Sequence, residues 1–288
     1  MIRFVDTDAI ADAYLAGLNA CFPGWGNMRR FDWCFRRTAG GPAAELIVIE
    51  TEGKPVAGSA LLYRRIMTAR GPARMACITG SWTLPEARRQ GHFSRTIEAA
   101  RVRAAERNSA MLVAWAAAPN GSVPYMAASS ERVIETAYLT SGAGDAGPEL
   151  PVITLDEAVK AFARRPAPEA IHLSYTPDEW RGQMVDRSQY PVEALALPGG
   201  EVALIERGPG RDLLLDLCGD LAELAPRLAA SSRTRGNSLG AFSADPVTIA
   251  TLEAQGFARV PGFFFLVPIA GAPPMPDGAW HFTNGDRM

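Results

Sequence analysis

Two adjacent arginines and a glycine stand where an apolar run gives way to a helical pattern. Residues 85–94 read Pro-Glu-Ala-Arg-Arg-Gln-Gly-His-Phe-Ser, which places Arg88, Arg89 and Gly91 in the connecting turn. A strand that enters a helix through a short turn presents free backbone N–H groups, and the helix dipole adds partial positive charge there. Gly91 lets the backbone approach an anion closely, and the arginines add charge. Taken alone, the turn is either a phosphate or pyrophosphate site or an exposed basic turn.

The elements that must position this turn follow from the hydrophobic pattern on either side of it. Residues 75–84 form an apolar run that predicts a strand ending at Pro85. Residues 110–115 predict a buried strand after the helix. The helix between them, ending near Asn108, is predicted from apolar positions on one face, at Phe93, Ile97, Ala100 and Ala104.

Two further elements are predicted upstream. Apolar residues recur at helical spacing over residues 8–20, which indicates an amphipathic helix. Residues 44–51 and 56–63 are apolar runs joined by Glu-Gly-Lys-Pro, a sequence typical of a hairpin turn. The unit is therefore a helix, a hairpin, a strand, the basic turn with its helix, and a further strand.

Composition limits the kinds of fold and binding partner that we expect for this chain. The 288 residues are 48% hydrophobic and 21% charged, which indicates a folded globular chain and favours two domains. The net charge of -2 gives no global attraction to nucleic acid or to an anionic membrane. Four cysteines without a CxxC pair and three scattered histidines argue against a zinc site or a disulfide framework. We expect no metal, no nucleic acid and no membrane partner.

The same sequence features lead us to expect a cytoplasmic protein. Asp6, Asp8 and Asp12 interrupt the segment in which a secretory signal would need apolar residues. The longest charge-free stretch, residues 108–130, contains Pro119 and Pro124, which break a membrane-spanning helix.

The basic turn and its flanks resemble the central motif of the GNAT N-acyltransferase superfamily, Arg/Gln-x-x-Gly-x-Gly/Ala. Arg88 and Gly91 match the motif, whereas Phe93 replaces its last small residue. Pro85 three residues before the arginine and Ile97 on the inward helix face agree with it. The resemblance covers residues 1 to about 140 and implies an α/β (α+β) GNAT fold, a mixed central sheet flanked by helices, that binds acetyl-CoA or another acyl-CoA.

The resemblance also implies which residues contact the coenzyme. A pantetheine arm would pair with the backbone of the strand before the turn, and the turn would hold the pyrophosphate. Asn120 is similar to an asparagine that contacts the coenzyme, although an Asn before Gly121 is also typical of a turn. The implied coenzyme-binding residues are Trp82, Thr83, Leu84, Arg88, Arg89, Gln90, Gly91, His92, Phe93, Ser94 and Asn120.

Amide formation from a thioester needs an unprotonated amine, a donor to the oxyanion and a proton for the thiolate. The resemblance implies Tyr125 as the general acid, with Tyr138 as a weaker alternative, and backbone N–H groups near Leu84 as oxyanion donors. We identify no base, because the motif strand carries Gly80, Ser81 and Thr83 where some members have a glutamate. His92 fits a structural or phosphate-facing role better. Weak candidate bases from other elements are Asp32, Glu45 and Glu135.

Residues 170–272 repeat the element order without a basic strand-to-helix turn, which predicts a degenerate second GNAT-like domain. It follows a first domain over residues 1–145 and a linker region over 146–169, and precedes a loosely held tail over 273–288. We expect an N-acyltransferase for a small amine such as an amino sugar, amino acid or antibiotic-like compound, acting as a monomer or homodimer. The alternatives are protein or peptide acylation, and acyl-CoA binding without turnover by a sensor.

Overall fold

The computed structural model describes residues 1–117, 121–187 and 189–287. The chain divides into two compact units. Of the described residues, the first contains 1–115, 121–133 and 264–277, and the second contains 116–117, 134–187, 189–263 and 278–287. Each unit therefore includes segments from distant parts of the sequence.

Strands and helices are distributed over all of the described residues. In order, the elements are β1 (Ile2–Asp6), α1 (Thr7–Cys21), α2 (Met28–Phe31), β2 (Glu45–Thr51), β3 (Lys54–Thr68), β4 (Gly71–Thr83), α3 (His92–Glu106), β5 (Met111–Ala117), α4 (Val123–Ser129), β6 (Arg132–Ser141), β7 (Val152–Ile153), α5 (Leu155–Arg164), β8 (Ile171–Leu173), α6 (Pro177–Met184), β9 (Val192–Ala196), β10 (Val202–Arg207), β11 (Arg211–Cys218), α7 (Leu221–Thr234), β12 (Ser238–Ser243), α8 (Pro246–Ala254), β13 (Phe257–Val267) and β14 (Trp280–His281).

The first unit is built on a mixed sheet in the order β1-β2-β3-β4-β5. The first four strands pair antiparallel with their neighbours, and β4 pairs parallel with β5. Residues 264–267 of β13 complete the sheet beside β5. Its core is lined by strand residues with almost no exposure, among them Leu46, Ile47, Leu61 and Met111.

The second unit repeats this arrangement. Its sheet has the strand order β6-β12-β11-β10-β9-β7. Strand β10 pairs antiparallel with both β9 and β11, and β11 pairs parallel with β12. Helix α7 connects β11 to β12 as α3 connects β4 to β5. The mixed α/β fold with two related halves is thus confirmed, as are the predicted first helix, the first hairpin and the strand-turn-helix-strand unit.

Two stretches differ from what their composition suggested. Residues 146–169, expected to link two domains, include α5, which begins with a capping box between Thr154 and Glu157. The end of the chain, expected to be loosely held, buries Trp280 and Phe282. No helix in the described ranges is long and apolar enough to cross a membrane.

The end of β4 is fixed against α1 by the ring of Trp82, which is 4% exposed. Gly17 on α1 and Gly58 on β3 make room for it, because a Cβ on either would lie 2.7 or 2.8 Å from the indole. Tyr14 meets the same ring edge-to-face, with centroids 5.6 Å apart. Glycine at these positions is therefore a packing requirement.

We predict that Gly17→Ala destabilises the protein, although glycine to alanine within a helix ordinarily stabilises by roughly 0.5–1 kcal/mol. The new Cβ would overlap the Trp82 ring, and overpacking of this kind costs about 1–3 kcal/mol. Gly182→Ala in α6 is the control, since a Cβ there meets nothing within 4 Å. Urea unfolding should show a lower free energy of unfolding for Gly17→Ala than for the wild type, and no decrease for Gly182→Ala. An equal free energy of unfolding for the two variants would contradict the packing role of Gly17.

Candidate functional site

Helix α3 begins at a turn whose backbone matches an anion site. Gly91, the residue before the helix, is left-handed with φ 72° and ψ 14°, and Arg89 also has a positive φ of 65°. The first helical N–H groups, of His92, Phe93 and Ser94, have no acceptor within the helix. A Cβ at Gly91 would meet no atom within 4 Å, so the space beside the helix end is open.

The arginine that begins the turn is tied to the end of β4. The Nε of Arg88 donates to the carbonyl of Thr83 at 3.3 Å. This bond uses one of the five N–H donors of the guanidinium, and the side chain is exposed. The charge of Arg88 is therefore held beside both the strand end and the start of the helix.

Strands β4 and β5 are adjacent for only a short distance. Their parallel pairing runs over Met75–Cys77 and Met111–Val113, after which both strands continue. Within the described residues no further ladder pair joins them. Because unpaired strand edges can accept an extended ligand as an added strand, the opening gives a linear molecule access to the edge of β4.

The ladder with β3 shows which peptide groups of β4 face this opening. The Leu84 N–H donates to the Val56 carbonyl at 2.9 Å, so it points toward β3. Alternation in an antiparallel ladder turns the peptide groups of Thr83 to the opposite edge. The Thr83 carbonyl meets Arg88 there, in agreement with this direction. Of the backbone N–H groups near Leu84 that were expected to donate to an oxyanion, that of Leu84 itself is already bonded to Val56.

A β-bulge interrupts β4 just before this edge. Gly58 pairs with Trp82 and Ala60 pairs with Thr79, so two residues of β4, Gly80 and Ser81, oppose Ser59 alone. Gly80 is left-handed with φ 54°, a conformation that glycine adopts without steric cost. The bulge bends the strand and turns Ser81 toward β3.

Three hydroxyl groups connect this bulge to helix α3. The Ser59 and Ser81 oxygens lie 2.8 Å apart, and the Ser59 and Thr96 oxygens lie 3.3 Å apart. The Thr96 hydroxyl donates to the Phe93 carbonyl at 2.7 Å. Ser59 and Thr96 are buried. Sequence analysis did not identify Ser59 or Thr96. The Gly80-Ser81 pair inside a strand indicates a bulge, and this signal could have identified Ser81, the residue that Ser59 contacts.

The predicted acid lies next to the predicted phosphate turn. Tyr125 is in α4, and its ring meets that of Phe93 edge-to-face with centroids 5.7 Å apart. Phe93 belongs to the first turn of α3, so these two predicted residues are brought together. Asn120 lies outside the described residues. Tyr138, the alternative acid, belongs to the second unit, where burial raises its pKa.

Each of the three weak candidate bases, Asp32, Glu45 and Glu135, forms an ion pair with an arginine. Glu45 accepts from Arg103 and Arg107, and these bonds outweigh its burial and lower its pKa. Arg103 is in the last turn of α3 and Arg107 directly follows it, about 18 and 24 Å along the helix axis from Gly91. Asp32 pairs with Arg36, and Glu135 with Arg259.

An aromatic cluster stands behind the bulge. A Cβ on Gly80 would lie 2.9 Å from the Phe35 ring, and the Tyr14 hydroxyl donates to the Gly80 carbonyl at 3.0 Å. Phe31 and Phe35 are fully buried. Both phenylalanines therefore belong to the core.

His92 is the one histidine of the turn, and it is buried at 6% exposure. Within the described residues neither ring nitrogen has a hydrogen-bond partner. Burial lowers its pKa, and the nearby charge of Arg95 lowers it further. The neutral ring therefore fits the structural role better than that of a base exposed to substrate.

Comparison with known proteins identifies the fold. No protein-family model and no curated protein matches the chain by sequence. Solved structures do match it. A conserved protein of unknown function from Enterococcus faecalis V583, described as a probable N-acyltransferase, is 10% identical with a TM-score of 0.63, over 93% of this chain and 72% of that one.

Two further solved structures span nearly the whole chain. Saccharomyces cerevisiae N-myristoyltransferase with bound myristoyl-CoA is 11% identical with a TM-score of 0.64, over 100% of this chain and 85% of that one. A tandem GNAT protein from the clavulanic acid biosynthesis pathway is 16% identical with a TM-score of 0.62, over 96% and 100%. The GNAT fold predicted from the basic turn is thereby confirmed.

We predict that the pKa of His92, measured by NMR titration of its ring protons, lies below the ordinary 6.5. Because the folded-state pKa is lowered, stability decreases as the pH falls through about 6.5, where the unfolded chain takes up a proton more readily. Arg95→Ala should raise the His92 pKa, and Arg70→Ala, which removes an exposed arginine elsewhere, should leave it unchanged. A pKa at or above 6.5 would contradict the burial of a neutral ring.

Proposed function

We propose that the chain is an acyl-CoA-dependent N-acyltransferase that transfers an acetyl or other acyl group to the amine of a small molecule. The observation that carries the proposal is the opening between β4 and β5 beside the N-terminus of α3. An extended thiol arm fits such an edge, and a pyrophosphate fits the free N–H groups and arginines at the helix end. The solved structures of acyltransferases with this fold support the same ligand.

The coenzyme would be held by two kinds of contact. Its pyrophosphate would accept hydrogen bonds from the peptide groups that begin α3, assisted by Arg88, Arg89 and Gln90. Its pantetheine amides would pair with the open edge of β4 through the Thr83 N–H, since the Thr83 carbonyl already accepts from Arg88 and from the Cys21 thiol. Trp82 only supports this edge, because its ring is buried against α1 and the same alternation turns its peptide groups toward β3.

The reaction is a direct attack on the thioester. The amine nitrogen forms a bond to the acyl carbon, the carbon–sulfur bond breaks, and the thiolate leaves with a proton. Tyr125 would supply that proton, and its ring contact with Phe93, in the turn proposed to hold the coenzyme, supports this role. The amine loses its own proton to water or arrives partly deprotonated, since none of the named carboxylates is free of an ion pair.

The acceptor is a small amine in this proposal, with an amino sugar, amino acid or antibiotic-like compound as the class to test. Protein or peptide acylation is the second enzymatic reading. A sensor that binds acyl-CoA without turnover is the reading that the missing carboxylate on β4 favours. Release of free thiol from acetyl-CoA across a panel of amines and peptides distinguishes the three; binding without any thiol release would leave the sensor.

We predict that acetyl-CoA binds the wild-type protein, measured by isothermal titration calorimetry, and that Arg88→Ala weakens the binding. A charge-assisted hydrogen bond contributes about 1.5–3 kcal/mol, so the dissociation constant should rise roughly 10- to 100-fold. Arg70→Ala is the matched control for removing one exposed arginine. No heat of binding with any acyl-CoA would overturn the proposal, whereas equal affinity of both variants would move the phosphate site away from this turn.

We predict that Tyr125→Phe lowers kcat in the thiol-release assay by about 10² to 10⁴, the usual contribution of a general acid. The acetyl-CoA dissociation constant should stay the same, because the ring contact with Phe93 is kept. Tyr138→Phe is the control and should leave kcat unchanged. If Tyr125→Phe turns over at the wild-type rate, the thiolate takes its proton from water or from another group.

A further inference from the structure

The second unit has its own opening between parallel strands. Strands β11 and β12 pair only over residues 211–213 and 238–240, and then continue to Cys218 and Ser243. Helix α7 begins beside this opening, as α3 begins beside the opening of the first unit. The fold therefore places a second potential ligand site at the corresponding point of the repeat.

The turn that leads into α7 has the opposite charge to the turn that leads into α3. Asp220 precedes the helix, and its carboxylate accepts the N–H groups of Ala222 at 2.7 Å and Glu223 at 3.3 Å. These are the donors that a phosphate would need. The second opening is thus closed to an anion by a carboxylate that already occupies the helix end.

The end of the chain forms one wall of this second opening. The Gln183 amide donates to the Gly285 carbonyl at 2.7 Å, and a Cβ on Gly285 would lie 3.0 Å from the Leu215 carbonyl. Trp280 and Phe282 are buried, with their rings stacked at a centroid distance of 5.3 Å. The wall is therefore a fixed part of the unit.

A cavity of about 380 Å³ remains between this wall and the two strands. Its size lies within the range of small-molecule sites, roughly 300–1,000 Å³. Its lining combines three carboxylates with three aromatic rings, namely Asp216, Asp220, Asp245, Phe242, Trp280 and Phe282. Among the described residues that line it there is no arginine or lysine, and burial lowers the pKa of the one histidine there, His281. The Arg287 guanidinium lies 5.1 Å from the Phe242 ring, so the Trp280 and Phe282 rings are the ones left for a ligand.

The three carboxylates differ in how far they are neutralised. Asp216 pairs with Arg165 at 2.6 Å. Asp220 and Asp245 instead cap α7 and α8, where their partners are peptide N–H groups and, for Asp245, the Thr248 hydroxyl. These bonds lower the pKa of Asp245, the hydroxyl of Thr248 most of all. Two negative charges at the cavity therefore have only partial dipole charges against them.

We propose that this cavity binds a compact organic cation with an ammonium head. Carboxylates supply the charge that an ammonium ion needs, and aromatic rings attract cations and cover their apolar groups. The same cavity repels phosphate, so the ligand differs in chemistry from the coenzyme of the first unit. The proposal stands independently of acyl transfer.

Choline is a suitable probe, and 3,3-dimethylbutan-1-ol is its neutral counterpart of the same shape. Calorimetric titration of the full-length protein at low salt should show saturable binding of choline. The neutral alcohol should bind at least about tenfold more weakly, since it lacks the charge. Salt should weaken the binding of choline and leave that of the alcohol unchanged.

The double variant Asp220→Asn with Asp245→Asn removes both charges, and asparagine is as good a helix cap as aspartate, so folding should be preserved. Choline affinity should fall at least about tenfold with little change in Tm. The control, Asp178→Asn with Asp277→Asn, removes two exposed charges outside the cavity and should bind normally. No saturable binding of choline, equal binding of the neutral alcohol, or unchanged binding by the double variant would each overturn the proposal.

Discussion

The parallel pairing of β4 with β5 stops after Cys77 and Val113, and the candidate site depends on this interruption. On its other side β4 stays bonded to β3 as far as the Leu84 N–H. The bulge at Gly80 lets β4 bend while this ladder continues. Backbone groups of β4 beyond the bulge are thus left for a partner other than β5.

The bend is maintained by packing on the opposite face of β4. The ring of Trp82 fills the space left by Gly17 and Gly58, and Tyr14 holds the Gly80 carbonyl. These contacts combine ring packing with one hydrogen bond, and none of them depends on a ligand. The open edge is therefore preformed, which reduces the ordering that an extended ligand would otherwise have to impose. The same arrangement of strands and helix occurs in both units, and each has an opening between parallel strands. The units differ in the residue at the helix end, which is basic at Arg88 in the first and acidic at Asp220 in the second.

The parts of the fold that could be predicted from sequence are those fixed by local pattern. The basic turn, its helix and the first hairpin each depend on residues close together in the chain, so periodicity and turn residues reveal them. Strand β6 pairs with β12 about 100 residues later, as at Thr140 and Gly240, and no local pattern carries that information. Ser59 was missed for the same reason, since it meets Ser81 only because the bulge turns that residue toward it.

The hydroxyl groups at the bulge bear on the proposed transfer of an acyl group to an amine. The Thr96 hydroxyl donates to the Phe93 carbonyl, so the Ser59 hydroxyl can donate either to Thr96 or to Ser81. If Ser59 donates to Thr96, Ser81 donates to Ser59 and keeps its lone pairs free to orient an incoming N–H group. If Ser59 donates to Ser81, the Ser81 hydrogen faces the ligand instead. In neither arrangement does a hydroxyl group remove a proton from an ammonium ion. For the proposed reaction, an acceptor that is already neutral would suit such a site better than a strongly basic amine, because the protein would then have only to orient the nucleophile and to protonate the leaving thiolate.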